Sequence, residues 1–436
     1  MPVALIRRVV VCLIIAAPAI TLRIADVELA PVIELLAYGA AVVAAAFLLA
    51  WAAEAVQKDI SGALAIALLA LIAVLPEYAV DFYFAFRSGS EAQYAHFAAA
   101  NMTGSNRLLL GIGWPLVVII CALRARRAAP PEGSRTVEAL RLDPGSRLDI
   151  GFLVLLCIIA FAIPVLGGIP LWLGIGLVAF FVAYLWRAGR SEVGDDAEFL
   201  GAAALIADLP RTARRFTVVV LFAVSAGIIL ACAEPFSEAL VASGSALGID
   251  SYFLVQWLAP AASEAPEFII AAMFALRGMG SAAIGTLIAA KVNQWSLLVG
   301  SLPIAHLLGG GGTGLPLDGR QIEEFALTAT QSLLGVALIL SLRFHWAAAL
   351  GLAGLFGLQF IVTDTSGRYV LCAIQAGLAL VFLIVHRRDI LPTLRAPFAR
   401  ATPSPAVGGV QAAGVRGSAV GRDPTDGGDP ATRVRA

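Results

Sequence analysis

Long uncharged runs constrain this chain before anything else does. Roughly twelve windows of about twenty residues are apolar enough to cross a bilayer, whose hydrocarbon core of about 30 Å needs a helix of that length. They fall at 4–22, 31–53, 59–87, 94–123, 148–166, 169–187, 214–243, 252–276, 282–309, 323–342, 345–362 and 368–386. With 60% hydrophobic residues, 14% charged and a mean hydropathy of +0.88, the chain has too little polar surface to be water-soluble. The expected fold is an all-α polytopic membrane protein, in which each span satisfies its own backbone hydrogen bonds, as lipid requires. Arg7 and Arg8 precede the first window and no small-residue cleavage site closes it, so it reads as a retained helix rather than a leader.

Basic loop residues set the expected orientation. Arg124, Arg126, Arg127, Arg135, Arg141 and Arg147 lie in the segment 124–147, and Arg187, Arg190, Arg211, Arg214 and Arg215 in the segment 187–215. Both loops belong in the cytoplasm, whereas the loops at 167–168 and 244–251 carry no basic residue and belong outside. An even number of spans then leaves both termini cytoplasmic, with the protein in the plasma membrane. The 30 basic and 30 acidic residues balance, so no whole-chain field attracts nucleic acid. The expected partners are the lipid bilayer and small inorganic cations; the sequence leaves the oligomeric state open. Five cysteines stand singly in apolar segments, and no zinc spacing or Ser/His/Asp pattern occurs, so neither an enzyme nor a cofactor is expected. The end of the chain, 391–436, is read as a cytoplasmic tail, disordered from about 401, where Gly, Pro and Ala dominate.

Inside these apolar windows one acidic segment occurs twice. "LPEYAVDFYFAFR" (75–87) and "APEFIIAAMFALR" (265–277) agree at Pro76/Pro266, Glu77/Glu267, Phe84/Phe274, Ala85/Ala275 and Arg87/Arg277. They lie in the third and eighth windows and therefore cross the membrane in opposite senses, the pattern of an inverted repeat with its site near the midplane. Proline lacks an N–H and frees a carbonyl one turn back, while the adjacent glutamate supplies charge that lipid penalises unless it has a function. Each copy is followed by an apolar helix with polar residues inside it, "AAANMTGSNRLLLGIGWP" (98–115) and "IAAKVNQWSLLVGSLP" (288–303). Glu77 and Glu267 are thus the expected metal-binding pair. Asn101, Ser105, Asn106, Asn293 and Gln294 are further candidate ligands. Asp81, one turn beyond Glu77, and Glu264, three residues before Glu267, are expected about 5–6 Å outward of the pair, in an acidic external vestibule. Arg107 and Lys291 also fall inside spans; as counter-charges they would leave about two negative charges for ions to neutralise.

"AVLPE", "SEAPE" and "ANMTGSN" (100–106) resemble the motifs of the calcium/cation antiporter superfamily, the sodium/calcium exchanger membrane region. The resemblance implies two inverted five-helix repeats, at 31–187 and 214–362, joined by a cytoplasmic loop at 188–213 and flanked by extra helices within 1–30 and 363–390. It also implies exchange of calcium for sodium or protons by alternating access, with Glu77 and Glu267 binding the ions and Ser263 standing at a ligand position. Ala73 and Val74 stand where hydroxyl residues are expected, and Lys291 where an asparagine is. Lys291, at a depth close to Glu267, is expected to pair with it when no ion is bound. A sodium/proton exchanger on the same scaffold is the alternative; a cation channel or membrane sensor is a third reading.

Overall fold

The structure, a computed structural model, describes residues 2–56, 58–59, 75–127, 139–189, 199 and 201–399. Apolar runs coil into helices because only a helix satisfies its own backbone away from water. In chain order these are α1 (Val3–Ala25), α2 (Pro31–Val56), α3 (Leu75–Arg87), α4 (Tyr94–Leu108), α5 (Trp114–Arg127), α6 (Arg147–Ala160), α7 (Ala162–Leu166), α8 (Leu171–Ala188) and α9 (Gly201–Ala207). The series continues with α10 (Arg211–Leu247), α11 (Ser251–Ser263), α12 (Ala265–Arg277), α13 (Gly280–Asn293), α14 (Val299–Leu308), α15 (Gly319–Ile339), α16 (Trp346–Leu358), α17 (Thr365–Val385) and α18 (Arg387–Arg395).

Among the described residues nine helical segments are long and apolar enough to cross a membrane, or ten if the bent pair α11–α12 counts as one span. This is fewer than the twelve expected, and two windows account for the difference. Of 59–87, residues 60–74 lie outside the described residues, together with Ala73 and Val74. The 345–362 window forms only the 13-residue α16, about 20 Å long at 1.5 Å per residue and shorter than the hydrocarbon core. The expected tail beyond 400 and the middle of the 188–213 loop also lie outside the described residues.

The two repeats are tied together at both ends by short strand pairs. β1 (Ala139–Arg141) pairs antiparallel with β4 (Arg343–His345), and β2 (Gly168–Pro170) with β3 (Gly314–Pro316). Each pair takes one strand from each repeat. Between them, α4 continues into α5 through a π-helical turn at Leu109–Gly113, and α13 into α14 through another at Gln294–Leu298. A π turn inserts an extra residue and rotates the face presented beyond it, a distortion common at functional sites.

Burial separates core from rim. In α15, 83% of the span is buried, whereas α1 and α17 are buried over only 22% of theirs, which places the two flanking helices against lipid. The polar helix α4 packs against α11 of the other repeat at Gly104, where a Cβ would lie 1.7 Å from the Gln256 carbonyl oxygen. Glycine there allows the two backbones to touch.

Candidate ion-binding site

Proline builds the site. α11 ends at Ser263 and α12 begins at Ala265, with a bend of 52° between them. Pro266 has no N–H to continue the helical ladder, and Glu264 takes a bridging conformation at φ −96° and ψ 0°. The Ser263 hydroxyl turns back to the carbonyls of Ala259 and Pro260, at 3.2 and 3.4 Å. In the other repeat, Pro76 lies in the first turn of α3. Glu77 and Glu267 consequently occupy matching positions in the first turns of α3 and α12, where the helix dipole favours a carboxylate.

Pro76, Glu77, Ser263, Glu264, Glu267, Ala290 and Gln294 line a cavity of about 20 Å³. That is room for one water-sized particle. The Gln294 amide donates to Glu77 Oε1 at 3.2 Å and also to Glu264 Oε1. Glu264 Oε2, Glu267 Oε2 and Gln294 Oε1 are buried with no hydrogen-bond partner. All three are acceptors, so what they lack is a donor or a cation. Among the described residues, no three or more His, Cys, Asp or Glu side chains are already drawn together around a metal position. In this arrangement the Gln294 amide stands between two of the carboxylates.

The remaining candidates divide. Asp81 is fully buried and accepts from Asn101 Nδ2 at 2.9 Å, its Oδ2 having no partner. Ser105 is buried with its hydroxyl against Glu77 and Glu264, outside ordinary hydrogen-bond geometry to either. Asn293 Oδ1 accepts from the Tyr78 hydroxyl at 3.0 Å, another contact between repeats. The expected vestibule of Asp81 and Glu264 does not form: both are buried, at 0% and 3% exposure, and Glu264 is a wall of the central cavity. The bend at residue 264 turns this side chain inward instead of leaving it one turn up a straight helix.

Both basic residues also differ from expectation. Lys291 does not pair with Glu267; its Nζ donates to Asn106 O at 2.7 Å and Asn106 Oδ1 at 2.9 Å, so that oxygen is already engaged. Arg107 leaves the four site acids altogether. It pairs with Glu324 at 2.5 Å, donates to Gln359 Oε1 at 2.8 Å and lies 4.9 Å from the Trp257 ring centroid. Arg368, partly exposed, binds Glu324 too and reaches Glu323 at 3.1 Å, completing a set of two arginines and two buried glutamates. Sequence reasoning missed this set because Glu323 and Glu324 open an apolar window and read as its boundary. The signal was there: Arg107 needed a carboxylate, and this adjacent acidic pair was unassigned.

Inverted helical repeats around a carboxylate-lined, ion-sized cavity define a multi-pass membrane antiporter of cations. The chain belongs to the sodium/calcium exchanger protein family, whose pattern matches residues 31–189 and 217–363. It is similar to the solved H+/Ca2+ exchanger CAX, with 38% identity and a TM-score of 0.84 over 91% of this chain and 98% of that one. Two structures of YfkE, one described as a Ca2+/H+ antiporter protein, share the fold at TM-scores of 0.59 and 0.55 with 14% and 16% identity. They cover 82% and 80% of this chain and 99% of theirs. No curated protein sequence matches the chain.

Proposed function

We propose that this antiporter exchanges calcium for protons across the plasma membrane by alternating access, with both termini in the cytoplasm and no resident cofactor. Calcium is cargo, held between Glu77, Glu264 and Glu267 with the Gln294 side-chain oxygen. The observation carrying this reading is the set of buried, unpartnered acceptor oxygens around a cavity of about 20 Å³. Calcium takes carboxylate and amide oxygens in a flexible geometry, so modest rotation of these side chains can complete its shell.

Charge supports the counter-ion. With Arg107 matched by Glu324, the four acids Glu77, Asp81, Glu264 and Glu267 face, among the described residues, Lys291 alone. When calcium departs, so many adjacent buried carboxylates need another positive charge. Protons supply it while occupying carboxylate oxygens and almost no volume. The similarity to the H+/Ca2+ exchanger CAX favours the same choice.

The test is radiolabelled calcium uptake into proteoliposomes with one gradient imposed at a time. An outward proton gradient should drive uptake and an outward sodium gradient should not. Failure of calcium to move under any gradient would overturn the reading, and voltage-driven current without a counter-ion would indicate a channel.

A further inference from the structure

We propose that Lys291 excludes sodium from the exchange cycle, its tethered ammonium filling the place beside the cavity where a monovalent cation would otherwise bind the Asn106 oxygens. This rests on the calcium/proton reading and adds the residue that makes the discrimination.

Lys291 is fully buried, and its ammonium is held by two oxygens of one residue, the Asn106 carbonyl at 2.7 Å and Asn106 Oδ1 at 2.9 Å. The Trp295 ring centroid lies 5.9 Å away. Among the described residues no carboxylate comes within ion-pair distance of Nζ. Neutral carbonyl oxygens are ligands that suit hard cations, and here the cation they hold is covalently attached. The attachment point adjoins the cavity: Ala290, next in sequence, lines it, and Gln294, three residues on along the same helical face, bridges two of its acids.

Selection follows from occupancy rather than affinity. A sodium ion needs several oxygens arranged around it, and the oxygens of Asn106 are taken by a charge that cannot diffuse away. A proton needs one carboxylate oxygen and finds several. The lysine's anchor Asn106 is on α4 and Lys291 itself on α13, so the contact also holds the two polar helices of the repeats together.

The experiment compares wild type with Lys291→Asn, which removes the charge and leaves an oxygen, and Lys291→Arg, which keeps the charge. Each protein is reconstituted, and calcium uptake is driven by an outward proton gradient or by an outward sodium gradient against a choline control. In detergent, the thermal midpoint is read with sodium and with choline. Wild type and Lys291→Arg should ignore sodium in both measurements. Lys291→Asn should gain uptake several-fold above the choline control and a higher midpoint in sodium. A folded Lys291→Asn that calcium stabilises and sodium affects in neither measurement would overturn the proposal, as would a sodium response in Lys291→Arg. If neither Lys291→Asn nor Lys291→Gln folds, Lys291 is a structural counter-charge and the proposal also falls. Sodium-driven uptake by the wild type would instead overturn the proton reading itself.

Discussion

The side-chain amide of Gln294 donates to Glu77 Oε1 at 3.2 Å, joining residues 217 positions apart and the two halves of the repeat. It also donates to Glu264, so one uncharged group separates two buried acids where a cation would stand. Gln294→Leu removes both this donor and the free Oε1. The apparent affinity for calcium, read from the concentration dependence of uptake, should fall about tenfold or more, or about 1.4 kcal/mol. An unchanged affinity would remove Gln294 from the site.

Glu77 and Glu267 head mirrored helices and face one cavity. Glu77→Gln and Glu267→Gln should each reduce exchange by at least about a hundredfold, about 2.7 kcal/mol at 1.36 kcal/mol per tenfold, because an amide cannot neutralise a desolvated divalent ion. Size-exclusion behaviour should be unaltered. Normal transport by both variants would disprove the assignment.

Arg107 and Glu324 are each almost completely buried and lie 2.5 Å apart. Glu324→Leu alone leaves one arginine unmatched and should destabilise the protein by about 3–5 kcal/mol, as Arg107→Met alone should by leaving a glutamate unmatched, whereas the two together should come within about 2 kcal/mol of wild type. Denaturant unfolding in detergent, analysed as a double-mutant cycle, provides the measurement. Additive losses would mean that the pair is not coupled.

Gly104 meets Gln256 too closely for any side chain. Gly104→Ala should separate α4 from α11 at a cost of about 1–3 kcal/mol or more. A lowered yield of folded protein with a lowered thermal midpoint is expected, and a midpoint equal to wild type would show that the backbones can part freely.

Asp59, in the turn that follows α2, receives Arg214 Nε at 2.6 Å and Arg214 Nη2 at 2.8 Å, with Arg215 at 3.3 Å. The Arg214 hydrogen bonds hold this carboxyl below its ordinary value. A depressed carboxyl contributes stability above the unfolded value of about 3.9 and loses it as pH falls through the lower folded value. Asp59→Asn should therefore lower the thermal midpoint near neutral pH, and its deficit should shrink below about pH 4. A deficit constant down to the acid limit would show that the ion pair is not its source.

What the sequence determined on its own is what depends on short stretches of chain. The length of the apolar runs dictated helices across a membrane, because a helix closes its hydrogen bonds within itself. The recurrence of Pro76-Glu77 as Pro266-Glu267, in windows that cross in opposite senses, announced mirrored halves, because a charge buried in lipid twice at the same motif position marks a function. Tertiary structure decided which partner each buried polar group found. Arg107 went to Glu324 rather than to the acids of the site, Lys291 to Asn106 rather than to Glu267, and Glu264 into the cavity rather than to an outer mouth. Those choices depend on which helices meet, at what rotation and beyond which π turn or bend, and a displacement of a few ångströms reassigns a hydrogen bond. Periodicity and composition carry no information at that distance, since a buried side chain selects its partner through space from helices far apart in sequence.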